Sequence, residues 1–146
     1  MTTHHAILSV STLVLATLSA CVTPPTDLDW SLQHPSQDSR YVVTLQPPAT
    51  PPAINQIHAW QVRLRSPDGR PVTRAHIGVD GGMPQHGHGL PTRPQVTREL
   101  ADGTYLLEGM KFSMPGWWEI KLTIAAADGT DKVTFNRMVT DPAAVR

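Results

Sequence analysis

From Trp118 to Ile124 the chain alternates between apolar and polar residues. Trp118, Ile120, Leu122 and Ile124 fall on one side, Glu119, Lys121 and Thr123 on the other. Successive side chains of a β-strand point to opposite faces, so this pattern predicts a strand with one buried face. The same period of two places His58, Trp60, Val62 and Leu64 on one face, against Gln61, Arg63 and Arg65. Shorter runs read as strands at Tyr41–Leu45, at Ala75, Ile77 and Val79, at Gln95–Leu100, at Thr104–Met110, and around Val133 and Phe135. Turn residues separate them: Pro67-Asp68-Gly69, Ala101-Asp102-Gly103 and Asp128-Gly129, where Gly accepts positive φ and Asp-Gly favours a hairpin. Beyond the first twenty or so residues, no segment sustains a helical period between breakers.

These elements predict an all-β chain, an immunoglobulin-like antiparallel β-sandwich of about seven strands. Its inner faces would hold Trp60, Val62, Leu64, Ile77, Val79, Trp118, Ile120, Leu122, Ile124, Val133 and Phe135. Burying each contributes about 1.5–3 kcal/mol, which offsets much of the entropy lost on ordering the chain.

The first twenty of the 146 residues read differently. Ala6–Ala20 is apolar with interspersed Ser and Thr, too short and polar for a membrane span but suited to a signal-peptide core. It ends in Leu18-Ser19-Ala20-Cys21, which resembles the bacterial lipoprotein lipobox. That resemblance implies cleavage before Cys21 and acylation of its sulfur and new amino group; several acyl chains together give stable anchoring. The segment before the apolar run, Met1 to His5, has no Lys or Arg, a departure from the usual signal peptide. The expected organisation is a signal peptide over 1–20, a lipidated Cys21 with a tether over 21–40, and the sandwich over 41–146. Val22 to Asp27 is Pro-rich and extended. A second such piece, Pro47 to Pro52, crosses over one end of the fold.

Cys21 is the one cysteine, so the domain beyond it has no internal disulfide, no thiolate zinc or iron–sulfur site and no thiol nucleophile. Twelve basic residues balance twelve acidic ones with no basic run, so nucleic-acid binding lacks its electrostatic footprint.

The chemistry concentrates in Gly81-Gly82-Met83-Pro84-Gln85-His86-Gly87-His88-Gly89-Leu90-Pro91. Gly and Pro forbid an ordinary helix or central strand here, so the segment reads as a loop. Outside the cytoplasm, Cu(I) can be bound by thioether and imidazole in place of thiolate. Met83, His86 and His88 supply both on this loop, and Met110 and Met114 in the connection after the fifth strand could converge on it. Two histidines with Asp80 or water would make a Cu(II) or zinc version. A metal-free reading also stands: Met83 and Met110 as packing, Met114 as a turn residue, His86 and His88 as solvated polars. Of the other candidates, His58 reads as a hydrogen-bonded core histidine and His76 as an outer-face residue. His34 belongs to the tether. Trp117 and Trp118 must face opposite ways, with Trp118 in the core and Trp117 exposed.

The run Met83 to Pro91, then Pro94-Gln95-Val96, Gly103-Thr104-Tyr105, Gly109 to Met114 and Gly116-Trp117-Trp118 together resemble the YtkA-like domain family, related to FixH-like domains. The resemblance covers about residues 56–140. It implies an immunoglobulin-like sandwich on the outer face of a membrane. It also implies a link with copper handling or cytochrome oxidase assembly, and no enzyme activity. In line with this, the chain has no Gly-x-Ser-x-Gly, P-loop or dinucleotide fingerprint, and no nucleophile accompanies Asp80 and His86. The expected function is a lipid-anchored binding protein facing the periplasm or outside, with copper as ligand and an oxidase-assembly or metal-efflux protein as partner. The alternative is a metal-free envelope scaffold using the glycine loop and Trp117 as contact surface. A weaker third reading is a sugar- or small-molecule-binding sandwich built on Trp117.

Overall fold

The computed structural model describes residues 23–141; the expected signal peptide and Cys21 lie outside the described residues. Strands run in the order β1 (Gln33–Pro35), β2 (Val42–Gln46), β3 (His58–Arg65), β4 (His76–Met83), a 3-10 turn (Pro84–His86), β5 (His88–Gly89), β6 (Gln95–Ala101), β7 (Thr104–Met110), β8 (Gly116–Ala126) and β9 (Gly129–Val139). They form two sheets, ordered β1-β2-β3-β7-β6 and β5-β4-β8-β9, and every pairing is antiparallel. The sandwich is the expected architecture, with nine strands in place of seven. The two additions, β1 and β5, are edge strands of three and two residues, too short to carry a period-two signal.

The cleanest sequence alternation yields the longest ladder. β8 and β9 pair along their whole length around the Asp128-Gly129 turn, with Ile120 opposite Phe135 and Leu122 opposite Val133. The expected inner-face residues are buried in one core cluster, except Val79, which packs against it only partly buried. Val79 lies where β4 has a free edge, because β5 pairs only with Gly82 and Met83. Gly82 shows why a glycine-bearing segment can serve as strand here. A Cβ on it would stand 2.3 Å from the His88 carbonyl oxygen, so only glycine lets β5 approach. The rule that Gly excludes this segment from a central strand therefore fails for Gly81 and Gly82 in β4.

Part of the expected tether belongs to the fold. His34 in β1 packs edge-on to Phe135 with ring centres 4.9 Å apart. Ser36 is buried and bonded to Asp131. The register explains this: β1 caps the edge of β2, pairing His34 with Val43, and thereby closes the side of the core beside β9.

Trp117 does face away from Trp118, but it is 7% exposed, which corrects its reading as an exposed aromatic. Its indole N–H donates to Asn136 Oδ1 at 3.0 Å, and Asn136 Nδ2 donates to the Asp29 carbonyl at 2.9 Å. Interactions with a residue nineteen positions on and with a chain segment far upstream leave no trace in a local pattern. His58 packs as expected, against Phe112 and Trp60, and His76 is exposed opposite buried Ile77.

Candidate metal centre

The histidine segment is a hairpin rather than an irregular loop. β4 ends at Met83, Pro84 opens the 3-10 turn, and Gly87 closes it in the left-handed conformation at φ 65°. Glycine adopts that backbone without strain. Gly87 N–H donates to the Met83 carbonyl at 3.0 Å and Leu90 N–H to the Gly81 carbonyl at 3.1 Å, which ties the turn shut. β5 then returns with His88 opposite Met83.

This return brings the two imidazoles together. The ring centres of His86 and His88 lie 5.9 Å apart at 31°, and both residues are exposed. Two imidazoles bound to one metal at nitrogen distances of about 2.0–2.1 Å hold their ring centres about 5–6.5 Å apart. His88 Nδ1 lies 3.1 Å from the Gly89 carbonyl. A carbonyl can only accept, so Nδ1 carries the proton and Nε2 keeps its lone pair free, the usual way a second hydrogen bond prepares a ligating histidine.

The thioethers are placed unequally. Residues directly opposite in an antiparallel ladder share a face, so Met83 and His88 lie on the same side. Met83 is 1% exposed, however, and its Cε lies 2.7 Å from where a Cβ on Gly116 would stand. It fills the space that Gly116 leaves at the end of the core. Met114 is half-buried, and its carbonyl accepts the Trp118 indole N–H at 3.1 Å. The Trp118 ring in turn stands edge-on to His88 at 5.6 Å. Met110 is fully buried in β7 of the other sheet, opposite His58, and packs in the core. The hairpin and the Met114 connection therefore meet through Trp118, a residue that the sequence reading assigned to the core alone. A tryptophan next to a Gly-bearing strand entry was the available signal.

Asp80 is excluded as a partner. It lies three residues before Met83 on β4, hence on the opposite face, across from Lys121, and its carboxylate accepts from Gly81 N–H. Among the described residues no group of three or more His, Cys, Asp or Glu side chains could hold a metal ion. Among the described residues a zinc site of three or four such ligands is therefore not assembled. Two imidazoles completed by thioether fit Cu(I) in softness.

Residues 36–123, more than half of the chain, match the YtkA-like family. Among solved structures the chain is matched to the ZirS C-terminal domain, at a TM-score of 0.41 and 15% identity, over 90% of this chain and 86% of that one. No curated protein matches the chain.

Proposed function

The chain belongs to the YtkA-like family, and on that premise we propose that it is a membrane-anchored extracytoplasmic binding protein whose histidine hairpin takes up Cu(I). The observation that carries the reading is the approach of His86 and His88 to 5.9 Å, on a turn fixed by Gly87 and the Met83 carbonyl. His86 and His88 are the primary ligands. Met114 is the accessible thioether that completes the set, and Met83 backs the site from the core. The metal is cargo, held by few soft ligands at an exposed edge and open to handover to a partner in oxidase assembly or metal efflux. Anchoring through Cys21 fits the lipobox at Leu18-Ser19-Ala20-Cys21 and keeps the site outside the cytoplasm, where thioether ligands suffice.

The test is a Cu(I) titration of the full-length chain in mild detergent, against a competing chelator under reducing conditions. A Cys21→Ser background removes the one thiol. Replacing His86 and His88 together by Ala is expected to weaken binding by more than about tenfold with the fold intact by circular dichroism. Equal affinity in both forms removes the hairpin from Cu(I) binding. The metal-free scaffold reading draws less support, because Trp117, its main contact residue, is buried and hydrogen-bonded.

A further inference from the structure

On β9, Asp131, Val133 and Phe135 are buried and share the inner face. Arg137 is two residues further on, opposite the fully buried Trp118. By the period of two it points inward as well. Arg137 is half-buried, and a guanidinium taken partly out of water calls for acceptors. Its guanidinium carbon lies over the face of Trp60, 5.8 Å from the ring centre. Burial pushes its pKa down, but an arginine stays charged at any physiological pH.

Beside it is a cavity of about 190 Å³. Its floor is Trp60 and Phe112, two rings in edge-on contact at 6.3 Å. One wall is the Pro47 to Pro52 crossover, whose proline rings have fixed φ and so hold the cavity open in advance. The other wall is Arg137 with Met138, which is 44% exposed. Drug-sized pockets run to about 300–1,000 Å³, so this one suits a single ring or a short branched chain. A cavity with an apolar floor, a rigid wall and a guanidinium at its side matches a ligand with an apolar body and one negative charge. The two terminal N–H groups of a guanidinium bind a carboxylate in parallel.

We propose that this cavity, at the end of the sandwich beside the proline crossover, binds a small aromatic or branched aliphatic carboxylate, with Arg137 holding the carboxylate and Trp60 and Phe112 the apolar body. The site is separate from the histidine hairpin and stands or falls independently of copper binding.

Benzoate is the probe and benzamide its neutral match. Each is titrated into the full chain while the Trp60 indole N–H resonance is followed by NMR. That proton is held by His58 Nδ1 at 2.7 Å and therefore reports on the cavity floor. Benzoate is expected to shift it saturably, with benzamide binding about 10–100-fold more weakly. Arg137→Met is expected to bring benzoate down to the benzamide level, and Arg137→Lys to restore part of the difference. Comparing the two probes on the unaltered chain keeps the test decisive if a variant fails to fold. Equal binding of benzoate and benzamide, no saturable shift with benzoate, or an unchanged affinity in Arg137→Met would overturn the assignment. Arg137 would then serve only as an inward charge guarding the edge strand β9 against pairing with other chains.

Discussion

The Ser36 hydroxyl donates a 2.6 Å hydrogen bond to the Asp131 carboxylate, across 95 positions of sequence. The same carboxylate accepts backbone N–H groups from Asp38, Arg40 and Lys132. Ser36 also accepts from Tyr41 N–H at 2.9 Å, so the buried pair fastens β1 and its turn to β9.

Burial alone raises the Asp131 pKa, but these donors outweigh it and hold the carboxyl at about 2, against 3.8 ordinarily. The folded value lies below the unfolded one. The stability it contributes is therefore complete above about pH 4 and is lost as pH falls toward 2. The difference corresponds to roughly 2–3 kcal/mol. Denaturant unfolding between neutral pH and pH 2 should show this loss. Asp131→Asn should be less stable at pH 7 by about 1–3 kcal/mol and should show a flatter decline in acid. Parallel pH curves for the two proteins would contradict the role of Asp131.

Burial lowers the pKa of His58 from 6.5. Its Nδ1 accepts from Trp60 Nε1, so the proton of the neutral ring sits on Nε2, which is buried without a partner among the described residues. Protonation in the folded state would put two donors face to face. The unfolded chain takes up the proton first, so the contribution is complete above pH 6.5 and lost as pH falls below it. NMR titration should find His58 as the histidine most resistant to protonation. His58→Phe should shrink the stability lost between about pH 7 and pH 5.

The hairpin glycines should respond unequally to alanine. A Cβ on Gly87 meets nothing within 4 Å, whereas one on Gly82 meets backbone at 2.3 Å. Gly87→Ala should cost about 1–2 kcal/mol, from its positive φ alone. Gly82→Ala should displace β5, seen as faster amide exchange at Leu90, and should weaken Cu(I) binding. Unchanged exchange would show that β5 tolerates the displacement.

Among the methionines, Met114→Leu should lower Cu(I) affinity by about tenfold while changing the unfolding midpoint little. Met110→Leu should leave Cu(I) affinity unchanged and cost less than about 1.5 kcal/mol, as a volume-conserving core exchange. A loss of affinity in Met110→Leu would place the site deeper between the sheets than the hairpin.

Legibility followed the range of the interaction. Ile120, Leu122, Val133 and Phe135 reveal their burial through spacing alone, because a strand imposes a period of two on whatever covers it. The start of Thr104–Met110 was readable because the Ala101-Asp102-Gly103 turn precedes it. The inward register of Arg137 was also present in Val133-x-Phe135-x-Arg137, but a charge at the end of an apolar row was not read as facing the core. The ligand types of the hairpin were visible as composition, while their grouping was not: Met83 and His88 are opposite one another only because β5 turns back.

The sequence by itself determined the sandwich class, the alternating core, the turns and the chemistry available in a domain whose one cysteine precedes it. Tertiary structure alone decided that β1 joins the sheet, that Asp131 is held ionised in the interior, and that Trp117 is buried. It also decided that Met110 belongs to the core while Trp118 links His88 to Met114. The burial of Trp117, for one, depends on residues 19 and 107 positions apart coming within hydrogen-bond reach. A periodic pattern records which side of a strand is covered and carries no information about which distant group covers it.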